Sequence, residues 1–343
     1  MMFAQLLEKL NRRQDLTEDE AAGAMAEIME GRAQPSQIAG FLVALRMKGE
    51  RPREIVGLAR TMRSRATKLS RPFAPVFDTC GTGGDRAHTF NVSTVSAIVL
   101  AACGLRVAKH GNRSVSSRCG SADLFEALGV NISAPPATVE RCLDEAGIAF
   151  FFAPVFHPSM RHAAPARKEL GIRTAFNLLG PLTNPAGARR QLVGVPRPEL
   201  TELVARSLAL LGAERAWVVH GADGLDEIST TGYTKVSECR DGAVNTFYVH
   251  PHDFNLPKAT PDTLKGGDAA ENAAIARVVL EGGTGAPRDI VLLNTAVSLL
   301  IAGAVRTVPE GIERAGRAIE TGAASTTLQK LTTLSNEGVA AAS

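Results

Sequence analysis

The chain has 343 residues, of which 45% are hydrophobic and 21% charged, so it has the composition of a globular protein and enough length for two lobes. Its net charge of +3 gives no reason to expect a protein that binds nucleic acid or a membrane surface. The five cysteines form no Cys-x-x-Cys pair and are odd in number. Neither a zinc site nor a disulfide framework fits this pattern, and a reducing cytoplasm is the expected compartment.

The sequence contains no stretch typical of a targeting or membrane-spanning segment. Residues 1–11 lack the apolar region of a signal peptide. The most apolar stretch, residues 290–305, is interrupted by Asn294, Thr295 and Ser298 and falls short of the roughly 20 residues that span a bilayer. We therefore expect a buried helix there and no association with a membrane.

The first 70 residues have the pattern of short amphipathic helices. Thr17 and Glu20 form a capping box at the start of one helix, and Gly31 ends it. A second helix is predicted from about Ser36, and a third from Pro52 to about residue 66. These helices would form a small lobe whose remaining apolar surface needs a partner.

From residue 71 onward the pattern changes to alternating strands and helices. Strands are predicted at 76–79, 105–108, 148–152 and 217–220, with a further β-like segment at 246–250. Helices are predicted at 92–102, 122–128, 200–211, 290–302 and from 311 to about 334. This alternation predicts an α/β layer with a mostly parallel sheet.

A glycine-rich loop, Asp78-Thr-Cys-Gly-Thr-Gly-Gly-Asp85, follows the first predicted strand. Its glycines allow backbone N–H groups to approach a ligand closely. A dinucleotide fingerprint would need glycine where Arg86 stands, and a P-loop would need a lysine that is missing. The remaining interpretations are a phosphate-binding turn, with a second anion site where Ser93 and Thr94 open a helix, or a plain strand–helix turn.

Two further segments carry charges that would suit a phosphorylated ligand. Lys109 and Arg113 flank a glycine, and serines follow at 114, 116, 117 and 121, which favours a polyanion over a solvated loop. Asp226 and Glu227 would be ordinary surface charges in isolation, but beside a diphosphate they could hold Mg²⁺. Arg167 could pair with a carboxylate, although an arginine on a helix is more often at the surface.

Together these segments resemble the anthranilate phosphoribosyltransferase family. The similar stretches are GTGGD at 81–85, NVST at 91–94, KHGNRSVSS at 109–117, GSAD at 120–123, RKELGIRT at 167–174, FNLLGPLTNP at 176–185, HGADGLDEIS at 220–229, and FLVALRMKGE at 41–50. The likeness covers nearly the whole chain, and the combined order and spacing are highly specific although GTGGD alone is not.

The resemblance implies a two-lobed fold shared with pyrimidine-nucleoside phosphorylases. A small helical domain would comprise residues 1–70, joined by about 166–188 from the middle of the chain. Residues 71–343 would form a large α/β domain that binds the phosphoribosyl donor. The resemblance also implies a homodimer formed through the small helical lobe, with no nucleic-acid or membrane partner.

The implied reaction transfers the 5-phosphoribosyl group of phosphoribosyl pyrophosphate (PRPP) to the amine of anthranilate, using up to two Mg²⁺ ions. The residues implied for PRPP are Gly81, Gly84, Asp85, Thr89, Asn91, Val92, Ser93, Thr94, Lys109, His110, Gly111, Asn112, Arg113, Ser114, Val115, Ser116, Ser117 and Ser121. Those implied for anthranilate are Gly81, His110, Asn112, Pro154, His157 and Arg167, with Arg167 facing the carboxylate. The implied Mg²⁺ ligands are Ser93, Asp226 and Glu227.

The residues offer no dedicated nucleophile or general base, and His110 is the nearest candidate for a proton acceptor. Catalysis would then rest on positioning and on stabilising the departing pyrophosphate. A nucleoside phosphorylase of the same fold is one alternative, against which the carboxylate pair and the Arg167 region argue. A nucleic-acid-binding relative is another, against which the near-neutral charge and intact motifs argue. Cys119 and Met160 are expected to affect only the choice of acceptor.

Overall fold

The computed structural model describes residues 2–85, 87–114 and 118–337. The chain begins with four helices, and the three that the sequence analysis placed are among them. The capping box at the second helix is formed, because Thr17 N donates to the Glu20 carboxylate at 2.7 Å and Glu20 N donates to Thr17 Oγ1 at 3.2 Å. The third and fourth helices each begin at a proline, which lacks the N–H that a first turn leaves unpaired. The four helices are α1 (Met2–Asn11), α2 (Glu18–Met29), α3 (Pro35–Lys48) and α4 (Pro52–Ser64).

A seven-stranded sheet follows, and it is mostly parallel as predicted. Its strand order is β3-β2-β1-β4-β5-β6-β7, with β6 and β7 antiparallel at one edge. The prediction left out β4 and β6 altogether, and it placed β2 two residues too early. The strands are β1 (Phe77–Gly81), β2 (Val107–Gly111), β3 (Ile148–Phe152), β4 (Arg190–Gly194), β5 (Arg215–Gly221), β6 (Thr234–Arg240) and β7 (Ala243–Val249).

Further helices cover the sheet. The predicted buried helix is confirmed, because the side chains of residues 290–299 are all buried, including Asn294, Thr295 and Ser298. The helical tail consists of two helices separated at Gly322, whose φ of +76° favours glycine. These helices are α5 (Val92–Ala102), α6 (Ser121–Ala127), α7 (Pro136–Glu145), α8 (Ala153–Phe156), α9 (Ala164–Leu170), α10 (Leu200–Leu210), α11 (Ala269–Leu280), α12 (Ala286–Ile301), α13 (Val308–Glu320) and α14 (Ala323–Asn336). Within the described parts of the chain, no helix is long and apolar enough to cross a membrane.

The buried apolar side chains form two clusters. One joins α5, α12 and the strands β1 to β3. The other joins α1–α4 to α10 and to one face of β4 and β5, and it includes Phe176, Leu178, Leu179 and Leu182 from the middle of the chain. This second cluster brings the segment after α9 against the N-terminal helices. The boundaries of the two domains at residue 70 and at about 166–188 stay a prediction.

The register of the parallel strands brings their glycine-rich carboxyl ends together. Gly81 at the end of β1 lies opposite Gly194 of β4, and Gly111 at the end of β2 lies opposite Phe152 of β3. Because ligands of open α/β sheets bind beyond the carboxyl ends of the strands, this edge is where a site is expected.

Candidate active site

A cavity of about 540 Å³ lies between this edge of the sheet and the α8–α9 region. Its volume suits a small-molecule substrate. All of the predicted site residues that the structure describes line this one cavity, and Val115, Ser116 and Ser117 lie outside the described residues. The residues brought together are Gly81, Gly84, Asp85, Thr89, Asn91, Val92, Ser93, Thr94, Lys109, His110, Gly111, Asn112, Arg113, Ser114, Ser121, Pro154, His157, Arg167, Asp226 and Glu227.

The glycine-rich loop is held in a conformation that only glycine adopts easily. Gly83 and Gly84 have φ values of +64° and +80°, in the left-handed region. Thr82 N donates to Gly194 O at 2.9 Å, and Gly83 N donates to Asp226 Oδ2 at 3.1 Å. The loop is therefore fixed to the end of β4 and to the acidic segment after β5.

Asp226 and Glu227 are half-buried at the floor of the cavity. Glu227 Oε1 accepts the N–H of Ser93 at 3.0 Å, at the start of α5. Burial raises the pKa of both carboxyls; the charge of Asp85 raises the pKa of Asp226 further, and the charge of Asp226 raises that of Glu227. Neither makes a salt bridge with another described residue, although the charge of Arg173 lowers the pKa of Asp226 and the charge of Lys109 lowers that of Glu227, both opposing the rise.

This donor set fits a divalent cation that brings other ligands with it. The described residues contain no group of three or more His, Cys, Asp or Glu side chains that could hold a metal alone. Mg²⁺ usually takes one or two carboxylates and completes its shell with water and substrate phosphates, so two carboxylates suffice beside a diphosphate.

The acidic segment is held in place by residues that the sequence analysis missed. Asn294 of α12 is fully buried, accepts the N–H of Ile228 and donates to Ile228 O, both at 3.0 Å. A Cβ at Gly194 would collide with the backbone oxygen of Asp226, so only glycine allows this approach. No local motif signals either contact, because each joins residues more than 30 positions apart.

Lys109 is a buried cation at the centre of the cavity wall, with a side chain that is 1% exposed. Its ammonium donates to Thr79 O and lies 3.4 Å from Ser93 Oγ. The neighbouring Asp78 is fully buried and accepts from His110 N and from Asn184 Nδ2. Burial raises the pKa of Asp78 to about 6, opposed by the charge of Lys109. The ends of β1 and β2 are thus held together by buried polar groups.

His110 and His157 present two unpaired ring nitrogens. His110 Nδ1 lies 2.9 Å from Gly180 O and His157 Nε2 lies 3.0 Å from Thr183 O, so these nitrogens carry the protons. Burial lowers the pKa of His110 to about 3 and that of His157 to about 4, which keeps both rings neutral. The other nitrogens, His110 Nε2 and His157 Nδ1, are buried lone-pair acceptors without a partner in the described chain.

Arg167 is a partly buried cation with no acidic partner among the described residues. Its guanidinium lies 5.9 Å from the ring centre of Phe176, and burial lowers its pKa. Such a group fits the carboxylate of a ligand. Arg113 differs, because its guanidinium already pairs with Asp123 and Glu126 at 2.8 Å. The predicted contact of Arg113 with a phosphorylated ligand stays a prediction.

The class of the protein follows from the fold and from two family matches. Residues 74–325 match the model described as glycosyl transferase family, a/b domain, and residues 4–66 match glycosyl transferase family, helical bundle domain. The cavity is lined by residues of the first region, with Met62 as the contribution of the second. The protein is therefore a glycosyl transferase.

Individual proteins similar to the chain show which family within this class it belongs to. The chain is 56% identical over 331 residues to the anthranilate phosphoribosyltransferase of Moorella thermoacetica, covering 96% of this chain and 97% of that protein. The crystal structure of the enzyme of that name from Thermus thermophilus has a TM-score of 0.89 at 43% identity, covering 96% of this chain and 99% of that one. The Saccharomyces cerevisiae enzyme in complex with PRPP and Mg has a TM-score of 0.89 at 29% identity, covering 97% and 98%. The chain belongs to the anthranilate phosphoribosyltransferase family.

Proposed function

We propose that the chain transfers the 5-phosphoribosyl group of PRPP to the amine of anthranilate, giving N-(5-phosphoribosyl)anthranilate and pyrophosphate in tryptophan biosynthesis. The observation that carries the proposal is one cavity with two kinds of wall. A glycine-rich loop and two carboxylates line one side, and an unpaired arginine with neutral histidines lines the other. The first suits a metal-bound diphosphate and the second suits an aromatic amino acid.

The donor side binds PRPP through backbone and side-chain donors. The loop Gly81–Asp85, the start of α5 at Asn91–Thr94, the segment Lys109–Ser114 and Ser121 surround the phosphoribosyl and diphosphate groups. Ser93, Asp226 and Glu227 hold up to two Mg²⁺ ions. When bound, magnesium neutralises the negative charge that develops on the departing pyrophosphate. Support comes from two adjacent carboxylates at the cavity floor whose pKa values are raised by burial and by the neighbouring acidic charges.

The acceptor side positions anthranilate for attack. Arg167 pairs with its carboxylate, and Gly81, Asn112, Pro154, His110 and His157 surround the ring and the amine. The amine nitrogen forms a bond to the sugar C1 while the bond from C1 to the pyrophosphate oxygen breaks, and the electron pair leaves with pyrophosphate. The nitrogen must then release a proton, and His110, whose Nε2 has no partner in the described chain, is the nearest candidate acceptor.

We also propose a homodimer formed through the helical N-terminal region. Support comes from apolar side chains left at that surface: Met47 of α3 is 74% exposed, and Ile172 after α9 is 46% exposed. Sedimentation velocity should give twice the chain mass for the wild type and a monomer for Met47→Glu. A wild-type monomer at micromolar concentration would reject the dimer. The five cysteines are buried and form no disulfide among the described residues, which supports a reducing, cytoplasmic location.

The reaction is tested by the loss of anthranilate fluorescence on mixing the protein with Mg²⁺, PRPP and anthranilate. We expect the signal to fall only when all three are present. Parallel samples with pyrimidine nucleosides and inorganic phosphate should release no free base. Phosphorolysis without consumption of anthranilate would overturn the proposal and favour a nucleoside phosphorylase.

A further inference from the structure

Arg173 connects the helical side of the molecule to the glycine-rich loop. It lies in the connection after α9, where its backbone oxygen accepts a hydrogen bond from the guanidinium of Arg46 in α3. Its own guanidinium reaches across the cavity, and Nη2 donates to Thr82 O at 3.0 Å. The sequence analysis gave this residue no role.

The guanidinium of Arg173 lies directly over the backbone of the loop. A Cβ at Gly84 would collide with Nη1, so the charge sits against the peptide groups proposed to surround the diphosphate. Nη1 and Nε make no hydrogen bond with a described residue, and Arg173 lines the same cavity as the loop. Two of the three nitrogens thus remain available to a ligand.

The charges around Arg173 indicate what kind of ligand this is. Burial lowers the pKa of the Arg173 guanidinium, the charges of Asp226 and Asp85 raise it, and those of Arg197 and Arg46 lower it further. The planar fork of a guanidinium matches the paired oxygens of phosphate groups better than an ammonium does. An oxyanion with several charges would bind both the metal held by the carboxylates and this arginine.

We propose that Arg173 binds the diphosphate of the donor and holds the leaving group against the glycine-rich loop. The inference rests on the proposed function, and it adds a contact to pyrophosphate from the helical side of the cavity. The acceptor carboxylate has its own arginine in Arg167, so Arg173 acts on the donor alone. Its loss should therefore separate donor binding from acceptor binding.

Isothermal titration of inorganic pyrophosphate in the presence of Mg²⁺ tests this on the full chain. Arg173→Ala should weaken pyrophosphate binding by about 10-fold to 100-fold, the range for a lost charge-assisted contact. It should raise the KM for PRPP while changing the KM for anthranilate less than about threefold. Arg173→Lys, which keeps the charge but not the fork, should fall between Arg173→Ala and the wild type. Lys168→Ala removes an exposed charge from the preceding helix and should bind pyrophosphate as the wild type does.

Wild-type pyrophosphate affinity in Arg173→Ala, or an equal rise of both KM values, would overturn the inference. If thermal unfolding shows that Arg173→Ala does not fold, Arg173→Lys decides, and wild-type affinity in that variant overturns it. Failure of the proposed function is a separate outcome, since the wild type would then neither bind pyrophosphate nor consume anthranilate.

Discussion

The two walls of the cavity achieve their chemistry in opposite ways. The donor wall, made of residues 81–85, Ser93, Lys109, Asp226 and Glu227, places a buried lysine and two half-buried carboxylates near the ends of strands, and backbone N–H groups donate to these two carboxylates. The acceptor wall, made of His110, Pro154, His157 and Arg167, presents neutral rings and a single unpaired cation. The donor wall therefore needs a cation to complete it, whereas the acceptor wall is ready for an anionic amino acid.

Removing the two carboxylate charges of the donor wall should have the largest effect on turnover. The double variant Asp226→Asn, Glu227→Gln keeps the shape and the N–H acceptors, so turnover should fall by at least about a thousandfold without loss of the fold. Steady-state kinetics with saturating Mg²⁺ measure this. Asp241→Asn, which removes an exposed carboxylate, should keep full activity. Substantial magnesium-dependent turnover in the double variant would contradict the assignment of Asp226 and Glu227 as magnesium ligands.

Removing the cation of the acceptor wall should have the next largest effect. Arg167→Ala should raise the KM for anthranilate by about 10-fold to 100-fold, because a charge-assisted pair with the carboxylate is lost. The KM for PRPP should change less than about threefold. Both constants come from the same initial-rate matrix, with Lys168→Ala as the matched control. Equal changes in the two constants would reject the assigned role.

Adding a methyl group at Gly194, at the base of the donor wall, should have a moderate effect on stability and on the KM for PRPP. Gly194→Ala places a methyl group against the backbone of Asp226, and overpacking of this kind costs about 1–3 kcal/mol. We expect a lower melting temperature and a higher KM for PRPP, with the KM for anthranilate nearly unchanged. Gly232→Ala has no atom within 4 Å of the added Cβ and serves as the control. A Gly194→Ala variant with the wild-type KM for PRPP would show that the loop tolerates displacement.

A change of pH between 8 and 6 should have the smallest effect on activity. Because burial lowers the pKa of His110 to about 3 and of His157 to about 4, both rings stay neutral from pH 8 to pH 6. The kcat/KM for anthranilate should therefore show no histidine titration in that range. Unfolded histidines take up protons below about pH 6.5, so stability should fall as the pH drops from there toward 4. Thermal unfolding of wild type and His157→Gln, with a smaller drop expected in the variant, measures this contribution. An activity transition near pH 6.5 that His110→Gln abolishes would contradict the neutral assignment.

The sequence predicted the fold where local patterns are strong. The capping box at Thr17 and the apolar run of α12 both form as expected. Strands β4 and β6 were missed because polar residues interrupt their apolar pattern: β4 reads Arg-Gln-Leu-Val-Gly, and β6 reads Thr-Lys-Val-Ser-Glu-Cys-Arg. Their β conformation is favoured by pairing with distant strands, which no local pattern contains.

The candidate site, like the fold, could be predicted from the sequence only in part. The motifs around Gly81, Lys109 and Asp226 could be recognised along the chain, and the structure brings them to one cavity. Arg173 could not be recognised, because its contact with Thr82 spans 91 positions. The unpaired nitrogens of His110 and His157 likewise depend on backbone carbonyls at 180 and 183, so their tautomers follow only from the folded chain.

The balance of products tests the central claim most directly. Purified protein, Mg²⁺, PRPP and anthranilate are incubated, and both products are quantified by chromatography and a pyrophosphate assay. We predict one N-(5-phosphoribosyl)anthranilate and one pyrophosphate for each anthranilate consumed, with neither formed by the Asp226→Asn, Glu227→Gln variant. Pyrophosphate released without the phosphoribosyl amine, or the same yield from that variant, would contradict the account.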